Sequence, residues 1–301
     1  TNLAPGDTNG PGAPDVFLRD RRAGTTTLVS VNSRGALGDA GGVEPSVSAN
    51  GRYVAFSSRS TNLVRDDANG EEDVFVRDLR TRRTTLVSVG RDRRSQGNAD
   101  SSSPVISADG RYVAFTSRST NFAPTAPAGQ FSAYVKDLRT GALEWVSVPP
   151  PGARFDGVGF RVSMSADARY VVFVANEPPS LGRVYVRDRA LRRTILAGVA
   201  VDGTPTYGGQ ASISASGRYV AFVSGWADGD PEVGGGRQRL YVRDLSTGTT
   251  VAQGLTSTGA PIDGDQYGPV VSDGGVAFDS SAAGIVPGDA GPRTQVYFRP
   301  F

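Results

Sequence analysis

The feature that most constrains the fold of this chain is a nine-residue phrase that recurs along it. The phrase reads Ser-Ala-Asn-Gly-Arg-Tyr-Val-Ala-Phe at Ser48–Phe56, and close copies occupy 107–115, 165–173 and 214–222. The four copies begin 59, 58 and 49 residues apart, and a degenerate copy at 272–278 follows them. Self-similarity at such intervals is typical of repeat architectures in which every copy builds one structural unit.

Two further phrases accompany the first one. The second reads Asp-Val-Phe-Val-Arg-Asp at Asp73–Asp78, and the third reads Thr-Thr-Leu-Val-Ser-Val at Thr84–Val89. Relatives of the second lie at 15–20, 133–137, 184–188, 240–244 and 296–299, and relatives of the third at 26–31, 143–148, 193–197 and 249–253. Their β-branched and aromatic residues predict strands, and Ala-Asn-Gly or Ala-Asp-Gly predicts a tight turn. One repeat therefore predicts a blade of four antiparallel strands.

The first two phrases resemble the repeat of TolB-type β-propellers. Ser107-Ala108-Asp109-Gly110 and Tyr134-Val135-Lys136-Asp137 carry this resemblance, with alanine where the family has proline. The chain also resembles bacterial exported proteins that repeat the phrase found here at Thr1–Gly10 and partly at Thr61–Gly70. The resemblance covers nearly the whole chain and implies a β-propeller. It implies no single function, since such propellers serve as periplasmic scaffolds, binding modules and attachments to enzymes.

The repeats predict an all-β chain that forms a single propeller domain over residues 1–301. They predict 21 strands, with two before the four complete repeats and three after them. Five four-stranded blades account for this number with one strand left over, whereas six blades would lack three strands, so the strand count favours five. The TolB resemblance and the six copies of the second phrase favour six. We expect the two chain ends to pair and close the ring, because closure removes an exposed sheet edge.

The composition excludes several kinds of catalysis. The chain has no histidine and no cysteine, so it cannot carry a Ser-His-Asp triad, a thiolate nucleophile or a zinc site built from those residues. Paired carboxylates remain possible, and a carbohydrate-active enzyme of that type is one alternative. Because none of the few glutamates falls inside a predicted inner strand, we expect a protein that is not an enzyme.

A calcium site is the one metal site that the sequence suggests. Asp67, Asn69 and Asp73 follow one another in a loop with the alternating oxygen ligands typical of the start of a calcium loop. Asp7, Asn9 and Asp15 offer a similar set with a longer last spacing. The competing interpretation is that Asn-Gly makes the turn and the aspartate caps the next strand. We expect no other cofactor, and a calcium- or sugar-dependent binding module is the second alternative.

The places that break the repeat are the candidate partner-binding loops. Their aromatic and proline residues predict a protein-binding rim, with ordinary loop variation as the alternative. The candidate contacts are Phe122, Phe131, Pro150, Phe155 and Trp226. By contrast, the arginine of the first phrase and the final aspartate of the second recur with every repeat, so we interpret them as a brace within each blade.

The charge pattern and the apolar runs narrow the possible partners. The formal charge is +2 and no basic block is present, so we expect no nucleic acid as a partner. No apolar run is long enough to cross a bilayer and no signal peptide is present in the given chain, which we expect to be a processed periplasmic or secreted protein. The sequence thus predicts a rigid, extracytoplasmic scaffold or protein-binding subunit of a larger assembly, which binds another protein through loops on one face.

Overall fold

The computed structural model describes residues 14–90, 92, 95–178, 182–227, 237–288 and 293–301. These residues form 21 strands and no helix, in antiparallel sheets of two, three and four strands. The all-β prediction is therefore confirmed, and the described residues contain as many strands as the repeats predict. The chain divides into two compact units, with the boundary between Val146 and Ser147. The single domain, the number of blades and the pairing of the chain ends stay predictions.

The first unit contains one two-stranded sheet and two four-stranded sheets, each with its strands in sequence order. Its strands are β1 (Phe17–Asp20), β2 (Thr25–Leu28), β3 (Val43–Val47), β4 (Tyr53–Ser58), β5 (Asp73–Asp78), β6 (Arg83–Leu86), β7 (Ser101–Ile106), β8 (Tyr112–Ser117), β9 (Ser132–Asp137) and β10 (Leu143–Trp145).

The second unit contains two four-stranded sheets and a final sheet of three strands. Its strands are β11 (Val158–Met164), β12 (Tyr170–Ala175), β13 (Arg183–Asp188), β14 (Arg193–Leu196), β15 (Thr206–Ile213), β16 (Tyr219–Ala227), β17 (Arg239–Asp244), β18 (Thr249–Ala252), β19 (Gln266–Ser272), β20 (Gly275–Ser280) and β21 (Gln295–Pro300). The first phrase of each repeat thus forms a tight turn and the second strand, and the second phrase forms the third strand.

The turn inside the first phrase is held by its own polar side chains. The Ser48 hydroxyl accepts a hydrogen bond from the backbone N–H of Tyr53 at 3.0 Å, and the Asn50 side chain accepts one from Arg52 N–H at 3.0 Å. Gly51 has a φ of +69° there, which L side chains rarely adopt. In the third repeat this position is Ala168, which has a φ of +60° and is fully buried.

We predict that Ala168→Gly relieves the strain of the left-handed backbone and raises the free energy of unfolding by up to about 1 kcal/mol. Gly51→Ala is the matched control, because a Cβ there would have no atom within 4 Å. It should lower the free energy of unfolding by a similar amount. Urea unfolding measures the free energy of unfolding of both variants, and a stabilising effect of Gly51→Ala would contradict this prediction.

Each sheet has two faces that the repeat makes chemically distinct. What we call the phenylalanine face carries a stacked aromatic pair from the second and third strands, with ring centroids 5.6–6.2 Å apart. The pairs are Phe56–Phe75, Phe115–Tyr134, Phe173–Tyr185, Phe222–Tyr241 and Phe278–Tyr297. The opposite face, here called the alanine face, carries small and branched side chains at the neighbouring positions of the same strands.

Successive sheets within a unit pack the alanine face of one sheet onto the phenylalanine face of the next. In the first unit, Ala55 and Val76 of one sheet share a buried cluster with Phe115 and Tyr134 of the following one. The second unit repeats this arrangement twice, first with Val172 and Val186 beside Phe222 and Tyr241, and then with Ala221 and Val242 beside Phe278 and Tyr297. The small residues leave room for the rings, so the two faces interlock at close range.

The predicted brace is present in all four complete repeats. A guanidinium nitrogen of the first-phrase arginine lies 2.6–2.8 Å from a carboxylate oxygen of the second-phrase aspartate in the pairs Arg52–Asp78, Arg111–Asp137, Arg169–Asp188 and Arg218–Asp244. The Asp78 carboxylate also accepts backbone hydrogen bonds from Arg80 and Thr81 at the next turn. The hydrogen bond from Arg52 holds the pKa of Asp78 well below its usual range.

We predict that Asp78→Asn lowers the free energy of unfolding at pH 7 by about 1 kcal/mol, since it removes the charge from this pair. Because the folded-state pKa of Asp78 is lowered, its contribution is present above pH 4 and is lost as the pH falls through the folded value. The difference between parent and variant should therefore shrink in acid.

Asp20→Asn is the matched control for this prediction. Asp20 ends the equivalent strand β1 and accepts the same turn bonds from Arg22 and Ala23, but β1 belongs to a two-stranded sheet without a first phrase. Its effect should stay below about 0.5 kcal/mol. Equal losses in the two variants would mean that the turn, and not the arginine, accounts for the effect.

Candidate functional site

The three candidate calcium ligands of the first unit lie together in the loop between β4 and β5. The Asn69 amide donates to Asp73 Oδ2 at 2.8 Å, and its side-chain oxygen accepts a bond from the Glu71 N–H. The side chain of Gln96, which the sequence did not suggest, connects Asp67 to this pair. The Gln96 amide donates to Asp67 Oδ1 at 2.7 Å and to Asp73 Oδ2 at 2.9 Å. Local spacing thus brought the predicted residues into one polar cluster.

The hydrogen bonds of this cluster bear on whether it fits a cation. Amide nitrogens of Asn69 and Gln96 face the carboxylate oxygens, and the Ser88 hydroxyl donates to the remaining oxygen of Asp73. Burial raises the pKa of Asp73 to about 6, and the nearby charge of Asp67 adds to this effect. Within the described ranges, no three acidic side chains converge on one point. The donors already occupy both oxygens of Asp73, and burial opposes its charge. The calcium site stays a prediction.

We predict that the contribution of Asp73 to the free energy of unfolding falls by about 2 kcal/mol between pH 4 and pH 6, because the folded state binds the Asp73 proton more tightly than the unfolded chain does. Asp73→Asn should flatten this fall, whereas Asp92→Asn, in an exposed turn, should not. Chemical unfolding measured over this pH range tests the expectation.

The same titration, repeated with calcium and with a chelator, tests the predicted metal site. A bound ion would favour the ionised carboxylate and would abolish the loss of stability with rising pH. Identical curves in the two solutions would contradict the calcium prediction, and a calcium-dependent gain that Asp67→Asn removes would support it.

The second candidate calcium set lies mostly outside the described residues. Asp7 and Asn9 fall there, and Asp15 is the only member that can be placed. The Asp15 carboxylate accepts a hydrogen bond from the Ser30 hydroxyl at 2.6 Å, as Asp73 does from Ser88. Both pairs join the start of the third strand of a repeat to the end of its fourth, so this bond belongs to the repeat.

The aromatic candidates for a protein-binding rim turn inward. Phe122, Phe131 and Phe155 are all less than 10% exposed. Phe122 packs edge-on against Tyr134 with centroids 5.4 Å apart, and Phe155 lies 4.7 Å from the Tyr185 ring. Phe122 and Phe155 thus cover stacked pairs of the phenylalanine face, and the Arg118 guanidinium lies over the Phe131 ring at 4.4 Å. Their role as partner contacts stays a prediction. Pro150 is half-buried, and the side chain of Trp226 lies outside the described residues.

An acidic group that the sequence analysis did not anticipate lies on an inner strand of the first unit. Glu44 lies within β3, contrary to the expectation that no glutamate does so. Its carboxylate accepts a hydrogen bond at 2.7 Å from the backbone N–H of Ser103, on the neighbouring strand β7. Glu72 is close by, and burial together with the charges of Glu44 and Asp100 raises its pKa. The position of Glu44 within this strand was missed because Glu-Pro interrupts the strand pattern, and a register shift lies there.

The last sheet exposes an apolar face that its counterparts bury. On its alanine face, Val270, Val296 and Phe298 are 65%, 75% and 64% exposed, and Tyr267 is 38% exposed. The residues equivalent to Val296 and Phe298 in three other sheets are 0–5% exposed, and they are Val74, Val76, Val184, Val186, Leu240 and Val242. Its phenylalanine face is buried in the usual way. We call the four exposed residues Tyr267, Val270, Val296 and Phe298 the apolar surface of the last sheet.

No protein-family model matches the sequence, and no curated protein sequence matches it. Solved structures do match. An oligogalacturonate lyase in complex with manganese aligns with a TM-score of 0.59 and 13% identity, over 96% of this chain and 72% of that chain. The chain has a β-propeller fold. TolB from Acinetobacter baumannii aligns with a TM-score of 0.46 and 13% identity over 95% of this chain, which spans 59% of that TolB chain.

Enzymes are among the proteins that share this propeller fold. Besides the lyase, dipeptidyl peptidase 4 from Porphyromonas gingivalis aligns with a TM-score of 0.53 and 16% identity, over 94% of this chain and 41% of that chain. The prediction that the chain is not an enzyme is therefore wrong as a conclusion from the fold, because enzymes share this fold. At such identities the likeness concerns the fold and does not make this propeller an enzyme. The described part of the chain contains no helix able to span a membrane.

Proposed function

We propose that this propeller is a binding module that docks another protein on the apolar surface of its last sheet. The observation that carries the proposal is the contrast between Val296 and Phe298, which are largely exposed, and their buried equivalents in three other sheets. Contiguous apolar surface on a folded protein marks interaction sites, whereas single exposed residues do not. We also propose that the protein acts outside the cytoplasm, as its resemblance to exported proteins implies.

The packing inside the protein indicates what this surface would accept. Elsewhere in each unit an alanine face is covered by the aromatic and valine side chains of a neighbouring sheet. A partner that presents a similar apolar β-element would fit the surface in the same way. Burying a Val or Phe side chain contributes about 1.5–3 kcal/mol, so two such residues contribute about 3–6 kcal/mol, against the roughly 8 kcal/mol of a micromolar contact.

The test is recovery of a partner by the immobilised protein from an extract of the cells that produce it. Val296→Lys with Phe298→Lys should reduce the recovered partner at least tenfold, because two charged side chains would have to be buried. The matched control is Val251→Lys with Val201→Lys, which changes two residues that are also more than half exposed but lie outside this surface.

The outcome separates three cases. Loss of the partner in the first variant alone supports the proposal. Equal recovery by both variants would place the contact elsewhere, and failure of the parent protein to recover any partner would contradict a binding role. Circular dichroism spectra and melting temperatures of all three proteins must agree for the comparison to hold.

A further inference from the structure

A cavity of about 1070 Å³ lies between three segments of the first unit. Its walls include the turn after β2, the loop after β4 and the strand β6. Each of these walls contributes one exposed arginine, and the three are Arg34, Arg65 and Arg83. Asp66 is the single acidic residue among the described residues of the lining. Three positive charges thus face one negative charge around the cavity, which we call the arginine cavity.

Hydrogen bonds between the walls hold these segments in place. The Asn32 amide donates to the backbone carbonyl of Asn62 at 3.3 Å, and the Ser33 hydroxyl accepts a bond from the N–H of Thr84 at 3.0 Å. Asn32 Oδ1 also accepts a bond from the N–H of Arg34 at 2.9 Å, so it fixes the turn that carries this arginine. The walls are therefore arranged before any ligand binds, which reduces the entropy that binding costs.

The charges of these arginines are not used within the described part of the chain. There, the structure gives the side chains of Arg34, Arg65 and Arg83 no hydrogen bond and no ion pair. The arginines of the brace differ in this respect, since each of them lies 2.6–2.8 Å from an aspartate oxygen. A guanidinium group matches the oxygens of a carboxylate or a phosphate in a bidentate manner. Charges of one sign around a cleft also concentrate ligands of the opposite sign there.

The repeat explains the cavity but not its charge. A second cavity of about 520 Å³ lies at the equivalent place one repeat later, beside the loop after β8 and the strand β10. Pro124 stands there at the position of Arg65, and Ala142 at the position of Arg83. The repeat thus forms such a cavity without these two arginines. Residues that depart from a local pattern without a structural reason are candidates for function.

We propose that the arginine cavity binds a small polyanion, a molecule with two or three carboxylate or phosphate groups that pair with Arg34, Arg65 and Arg83. Three arginines on three walls favour several charged groups on one ligand over a single one. The volume suits a molecule of this kind, since ligand pockets measure roughly 300–1000 Å³. The inference is independent of the proposed function, because the apolar surface of the last sheet belongs to the second unit.

The probes are citrate and tripolyphosphate, with acetate as the monoanion for comparison. Isothermal titration calorimetry of the full chain at low salt should show saturable binding of at least one polyanion, with one site per chain and an affinity at least tenfold above that of acetate. The polyanion that binds more tightly identifies carboxylate or phosphate as the preferred group. Binding should weaken as the salt concentration rises, because exposed charges are screened.

Variants of the three arginines test the site. Arg34→Gln, Arg65→Gln and Arg83→Gln should each weaken binding about threefold, the effect expected for one exposed ion pair. The triple variant should weaken it at least tenfold. If the triple variant does not fold, the three single variants decide the question.

The matched control removes the same number of charges from other places in the first unit. It replaces by glutamine three exposed arginines that do not line the cavity, namely Arg21, Arg22 and Arg139. This control should change the affinity less than twofold, because it alters the net charge equally but leaves the cavity intact.

Three results would overturn the inference. Equal losses of affinity in the two triple variants would mean that the polyanion responds to net charge and not to this cavity. A parent protein that binds neither polyanion with saturation would remove the site. Tight binding of a hexaglutamate peptide without binding of citrate or tripolyphosphate would mean that the cavity takes an acidic protein segment instead.

Discussion

The structure depends on the contact between the alanine face of one sheet and the phenylalanine face of the next. A blade of four short strands cannot bury both of its faces alone, so its stability comes from its neighbours. The stacked aromatic pair supplies area and shape on one face, and Ala55 or Val76 leaves room for it on the other. This contact recurs in both units, and it explains why the degenerate copy at 272–278 keeps Val-Ala-Phe although it loses Arg-Tyr.

The polar residues of the repeat support this contact, because they hold the strands of each blade together. The arginine–aspartate brace joins the turn before the second strand to the end of the third, and a hydrogen bond from Arg77 to Thr84 joins the third strand to the fourth. Both bonds lie at strand ends or sheet surfaces and leave the apolar faces free to pack. The last sheet has Gly274 and Pro300 where the brace residues stand in the complete repeats. It thus keeps the buried phenylalanine face but lacks the features that complete a blade.

The candidate site was only partly predictable from the sequence. Asp67, Asn69 and Asp73 were correctly expected to lie together, because they are neighbours in one loop. Gln96, which bridges two of them, lies more than twenty residues further along the chain and has no motif to mark it. The burial of the aromatic loop residues was not predictable, because composition shows that a loop is unusual but not which way its side chains point. Phe122 and Phe155 fill space beside stacked rings that exist only after the strands have paired.

The sequence by itself determined the strands, their order, the turns between them and the residues of the brace, because these follow from spacing within one repeat. Only the tertiary structure decided which apolar residues are buried. Val296 and Phe298 have the same strand pattern as Leu240 and Val242, yet one pair is exposed and the other is covered. The physical reason is that a strand pattern specifies which face a side chain occupies, whereas burial requires a second sheet on that face. The candidate binding surface arises where that second sheet does not cover the first.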